Sequence, residues 1–197
     1  MDTSEHECIG RAASPSDLQA AAPRKLLLLS QLSDAFAGRS DISLLGSLNG
    51  MTQAEADWRS DASLPAAEQI VRHIAWAKSK FCHDGFATPM VLVDEAVDDN
   101  GDSPGLPREF PCGAAFGAAA APGIAGAIEL LQRAHLVFTA CLESCTEASL
   151  DQSIPCHHGK SALNFFWTLL MHDLYHAGQI RTRRTLYRIT RGSEAIG

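Results

Sequence analysis

The chain has 197 residues, 46% of them hydrophobic and 20% charged, with a formal net charge of -7. That length buries one substantial core and calls for one domain, not two. The excess of acid argues against a general nucleic-acid binder, which needs a positive face to displace counterions from phosphate.

Residues 1–22 mix Ser, Ala, Pro and charge without period and read as a flexible tail ahead of a domain spanning 23–197. The tail is acidic and has no apolar export segment. Cys8, Cys82, Cys112, Cys141, Cys145 and Cys156 are therefore expected as reduced thiols in a cytoplasm. No apolar run approaches the length of a membrane span, so no membrane partner is expected.

From Lys25 the pattern becomes helical: Leu26, Leu29, Leu32, Phe36, Leu44, Leu45 and Leu48 recur on one side up to "NG" at 49–50. This predicts one long helix, open to interruption around Gly38 to Ser40. "MTQAEADW" follows, with Thr52 and Glu55 in the capping-box spacing. A second helix is predicted from about Ala66 to Cys82, with Ser63 as cap and Pro65 in the first turn. Its stripe is Ile70, Ile74, Ala77 and Phe81, and His73 sits at the edge.

Residues 83–122 lose the period and collect Gly, Pro, Asp and Asn around one β-like run, "MVLVDEAV". So long a connection reads as an irregular insertion. A third helix is predicted from Ile124 to Glu147, with Ile128, Leu131, His135, Phe138 and Leu142 on one side. The turn "DQSIPCHHGK" leads to a fourth helix from Ala162 to Ile189. Four helices with one long crossover describe an all-α four-helix bundle with at least one parallel neighbour pair.

At 100° per residue, Phe165, Leu169, His172, His176 and Ile180 of the fourth helix share one inward sector. Imidazoles at i and i+4 stand about 6 Å apart at Cβ, close enough for both to reach one cation. Two ligands hold a metal poorly, so a third donor is expected from another helix, and His73 is the inward candidate. Three imidazoles suit Zn, Ni, Cu or Fe.

"EQIVRHIAWAKSKF" (68–81), "SLLGSLNGMTQAEADWR" (43–59) and "LLMHDLYHAGQIRTRR" (169–184) together resemble the DinB-like, YfiT-type metalloenzyme family over roughly residues 24–190. In that family a His on the second helix and an H-x-x-x-H-x-G-Q-I pattern on the fourth supply three metal ligands. The resemblance places these on His73, His172 and His176. It implies a four-helix bundle of up-down-down-up topology, commonly a homodimer, holding one divalent metal ion such as Zn or Ni. It also implies small-molecule chemistry: characterised members include S-transferases and isomerases that use bacillithiol, mycothiol or glutathione, a low-molecular-weight thiol co-substrate.

Alternatives remain. "HDLYH" differs from the metallohydrolase pattern H-E-x-x-H by Asp173 in place of Glu, one methylene short of the usual base position. Asp173 is otherwise expected as a partner to a ligand or at the surface. A non-catalytic bundle, holding a structural metal or serving dimerisation in a stress response, is the third reading. Tyr175 and Gln179 flank the ligands, and Gln179 is placed to orient an imidazole through its free N–H. His135 is a weaker candidate for the same region. Cys141 and Cys145 read as small core residues, Cys156, His157 and His158 as an exposed turn, and Trp58, Trp76 and Trp167 as packing. The basic cluster Arg181, Arg183, Arg184, Arg188 and Arg191 reads as a helix end, with a substrate-anion contact open to one of them, Arg181 foremost.

Overall fold

The computed structural model describes residues 23–38, 42–88, 122–154 and 159–194. It is all-α: the described residues form six α-helices and no strand, only an isolated bridge between Ser153 and Ser161. The helices are α1 (Arg24–Ala37), α2 (Leu44–Leu48), α3 (Gln53–Asp57), α4 (Ala67–Phe86), α5 (Gly123–Ser144) and α6 (Ala162–Glu194). The tail at 1–22, the "MVLVDEAV" run and the turn holding Cys156, His157 and His158 lie outside the described residues, as do Cys8 and Cys112.

The first helical stretch is two helices, broken from Gly38, where the sequence is open to an interruption. α1 ends at Ala37, and Ser43 starts α2 by accepting a hydrogen bond from Gly46 N at 3.1 Å. α3 opens with the expected capping box, Thr52 Oγ1 accepting from Glu55 N and Glu55 Oε2 accepting from Thr52 N. The cap predicted for α4 is different. Ser63 bonds Asp61, its amide at 2.7 Å. The helix begins four residues after it, at Ala67, where Gln69 Oε1 accepts from Ala66 N at 2.8 Å. α4 also runs four residues beyond Cys82, so residues 83–86 belong to the helix and not to the insertion. α5 stops at Ser144, short of the predicted Glu147, and α6 extends to Glu194. At 1.5 Å per residue α6 is roughly 50 Å long.

Gly123 has a reason to be glycine. Its φ is 81°, and Gln53 Oε1, which accepts from Ile124 N at 2.8 Å, would lie 2.6 Å from a Cβ there. The same Gln53 donates to Asp57 and Glu68, so one side chain links α3, α4 and the start of α5.

Side-chain pairs fix the relative directions. Arg72 to Gly123, Lys78 over Phe138 and Cys82 beside Cys141 advance together along α4 and α5, which therefore run parallel. Parallel neighbours need a long crossover, the role of the segment between them. His73 meets His172 and His176 while Phe86 meets Phe165 and Phe166, so α4 and α6 are antiparallel. Arg24 meets Glu147 and Phe36 meets His135, so α1 opposes α5.

The core has two clusters. One gathers Leu28, Leu32, Phe138, Phe165, Phe166 and Leu169; the other Leu44, Ile70, Ile74, Leu131, Ala177 and Ile180. Along α6, residues 172–176 fall between them. Trp76 packs against both clusters, Trp58 lies edge-on to Tyr187, and Trp167, expected in packing, is 50% exposed.

Candidate metal centre

His73 sits one position before Ile74 on the buried face of α4, so the packing that holds the stripe also holds its ring. His172 and His176 occupy successive turns of the antiparallel helix opposite. His172 Nε2 lies 3.1 Å from His73 Nε2 and 3.1 Å from His176 Nε2. One ring nitrogen from each of the three lies within 4.8 Å of the others. Two nitrogens bound at about 2.0–2.1 Å in a tetrahedral set stand roughly 3.3 Å apart, so the spacing suits a single cation.

Protonation points the same way. Burial, and then the neighbouring imidazole of His176, holds His73 down to about 4. Burial, then His176, His73 and Lys78, holds His172 down to about 3. Burial also lowers His176, against an opposing hydrogen bond to Gln179. All three are neutral near pH 7, the form a metal requires.

Gln179 selects the tautomer of His176. Its amide nitrogen donates to the Tyr175 hydroxyl at 2.8 Å, which turns Oε1 toward His176 to accept from Nδ1–H at 2.7 Å. The Nε2 lone pair is thereby left facing the other two rings. Tyr175 meets His176 edge-on at 5.0 Å between ring centroids and is otherwise exposed. Both flanking residues picked out by sequence therefore touch the cluster, directly or through one another.

Asp173 does not face it. The carboxylate is fully buried and pairs with Lys78 Nζ at 2.7 Å, and Lys78 is equally buried. The ammonium lies 4.5 Å from the centroid of Phe138 and 5.8 Å from that of Phe36. Asp173 is thus neither a surface residue nor positioned as the base of an H-E-x-x-H site. Burial pushes its carboxyl upward while Lys78 pulls it down. Sequence reading missed Lys78. The available signal was its register, four residues after Ile74 and three before Phe81 on the apolar stripe, where a lysine implies a buried partner.

His135 belongs to the core. Its ring stacks on Phe36 at 3.5 Å with a 4° angle, it contributes no nitrogen to the cluster, and burial, with Lys78 second, lowers it to about 3. Cys141 and Cys145 are buried thiols, as expected, and Cys82 joins them. Arg184 donates to the Ser47 and Asn49 carbonyls at 2.9 Å, and with Arg188 it faces Glu55. These two arginines tie α6 to α2 and α3. Arg181, nine residues after His172, projects from the opposite side of α6 by helical period, away from the cluster.

The sequence model of the DinB superfamily matches residues 42–180, more than two thirds of the chain and all three histidines. No curated protein and no solved structure matches.

Proposed function

The chain belongs to the DinB superfamily, and on that footing we propose that it is a divalent-metal-dependent thiol S-transferase or isomerase that acts on small molecules with a low-molecular-weight thiol as co-substrate. The observation that carries this reading is the convergence of three neutral imidazoles, from two helices, within 4.8 Å. His73, His172 and His176 would hold the ion, with Zn or Ni the metals proposed. When bound, the ion supplies the charge that keeps a thiol deprotonated near neutral pH, and the thiolate is the nucleophile.

The chain's own residues do the rest. Gln179 fixes the ring of His176, Tyr175 anchors Gln179, and the Tyr175 hydroxyl proton is free to be donated outward. The proposed architecture is the four-helix bundle of up-down-down-up topology, supported by α4 running parallel to α5 and antiparallel to α6. A homodimer in the cytoplasm completes the proposal, and the dimer is supported by Trp167, Met171 and Tyr175 left exposed along one side of α6. No helix among the described residues is long and apolar enough to cross a membrane.

The hydrolase alternative loses its base, because Asp173 is held by Lys78. A conjugation assay tests the choice: bacillithiol, mycothiol and glutathione against a panel of electrophiles, with and without chelator. Thiol consumption that stops on chelation is expected; consumption indifferent to chelator would remove the metal mechanism, and none with any pair would favour the structural-metal reading.

A further inference from the structure

Arg183 follows His176 by seven residues, so it stands on the same face of α6, two turns and roughly 10 Å along the axis. It is partly buried, and its Nη1 is fully shielded from solvent with no hydrogen-bond partner among the described residues. No acidic side chain among them pairs with it. A second guanidinium, that of Arg59, is near enough to act on it electrostatically. Trp58 packs edge-on against Tyr187, one turn past Arg183, with ring centroids 5.9 Å apart. The next residue, Arg59, is pinned by Gln69 Oε1 at 3.1 Å and the Ala62 carbonyl at 3.4 Å. Gln69 in turn lies one turn before His73 on α4. Burial and the nearby Arg59 both disfavour the charge on Arg183. An anchored guanidinium near a second one that no described carboxylate pairs with attracts an anion, and a guanidinium takes a carboxylate in two parallel hydrogen bonds.

We propose that Arg59 and Arg183 form a carboxylate-binding subsite for the substrate whose sulfur reaches the three histidines, which makes the thiol substrate an acid. This rests on the thiol reading of the metal centre and narrows it: the substrate carries a carboxylate roughly 10 Å from its sulfur. The remaining arginines of α6 do not compete for the role: Arg184 and Arg188 are engaged with Glu55, Arg191 lies over the Tyr187 ring, and Arg181 projects from the opposite side.

Cobalt(II)-loaded protein provides a binding readout independent of turnover, because sulfur coordination to cobalt gives a charge-transfer band. The probes are omega-mercaptooctanoate, which spans the distance, the neutral omega-mercaptooctanol, and mercaptopropionate, which is too short. The expected result is about tenfold or greater preference of wild type for the octanoate over the octanol. Arg183→Met and Arg59→Met are each expected to lower affinity for the octanoate far more than for the octanol. Arg183→Lys should keep part of the preference, and Arg181→Met all of it. Mercaptopropionate affinity should not depend on Arg183. Thermal melts of each variant separate loss of fold from loss of the subsite.

Equal affinity of wild type for the long acid and the alcohol would overturn the subsite and leave the thiol reading intact. So would a preference that survives both methionine substitutions. No sulfur band with any probe would overturn the thiol reading itself, and the acid-thiol assignment with it.

Discussion

Replacing Lys78 with Met should be among the most damaging single substitutions in this chain. Both members of the Lys78–Asp173 pair are fully buried, 2.7 Å apart through Asp173 Oδ2, and Asp173 Oδ1 has no hydrogen-bond partner among the described residues. Removing the ammonium strands a carboxylate between two apolar clusters, and breaking such a pair from one side costs about 3–5 kcal/mol. A typical domain is stable by about 5–15 kcal/mol, so most of the margin is at risk. For a chain of this size the loss corresponds to a fall in Tm of roughly 6–20 °C. Removing both charges at once, as Lys78→Met with Asp173→Leu, leaves no stranded group and should recover most of the loss. Urea unfolding of wild type, both single variants and the double variant gives the coupling energy directly. A Lys78→Met variant within about 1 kcal/mol of wild type, or a double variant worse than either single, would refute the reasoning.

Gln179→Leu removes the acceptor that fixes His176 and should weaken zinc binding by about 10–100-fold in chelator competition; unchanged affinity would mean the ring is oriented by packing alone. Gly123→Ala forces a side chain into φ 81° and against Gln53 Oε1; a loss of about 1–3 kcal/mol in denaturant melts is expected, and a neutral result would contradict the contact. The pH dependence of the metal-free protein follows from the buried histidines. His135 is held down to about 3 and His73 to about 4, against an ordinary value of 6.5. The unfolded chain therefore takes up protons at a higher pH than the folded one. Stability should be full above pH 6.5 and fall as the pH drops through 4 toward 3. His135→Phe should make that decline shallower, which thermal melts across the range would read.

The histidine cluster was legible because both its signals are periodic. A four-residue spacing puts His172 and His176 on one face, and the stripe from Ile70 to Phe81 carries His73 inward. Helix ends were less legible. Ser63 looks like a cap in sequence, but Asp61, two residues earlier, takes its amide, and the role passes to Gln69. The partner of Asp173 was invisible because 95 residues separate it from Lys78, and a lone lysine on an apolar stripe does not say which carboxylate it meets. The basic run at the end of α6 read as a single patch. Tertiary contacts divide it: Arg184 and Arg188 bind Glu55, whose capping-box role was the part visible locally, while Arg183 Nη1 is left without a partner among the described residues.

The central claim is that His73, His172 and His176 hold a divalent ion. Elemental analysis of protein purified without an affinity tag, wild type beside a His172→Ala/His176→Ala double variant of confirmed helical content, tests it most directly. Close to one divalent ion per chain in wild type and almost none in the variant is the predicted result. Equal metal content in the two proteins would contradict it.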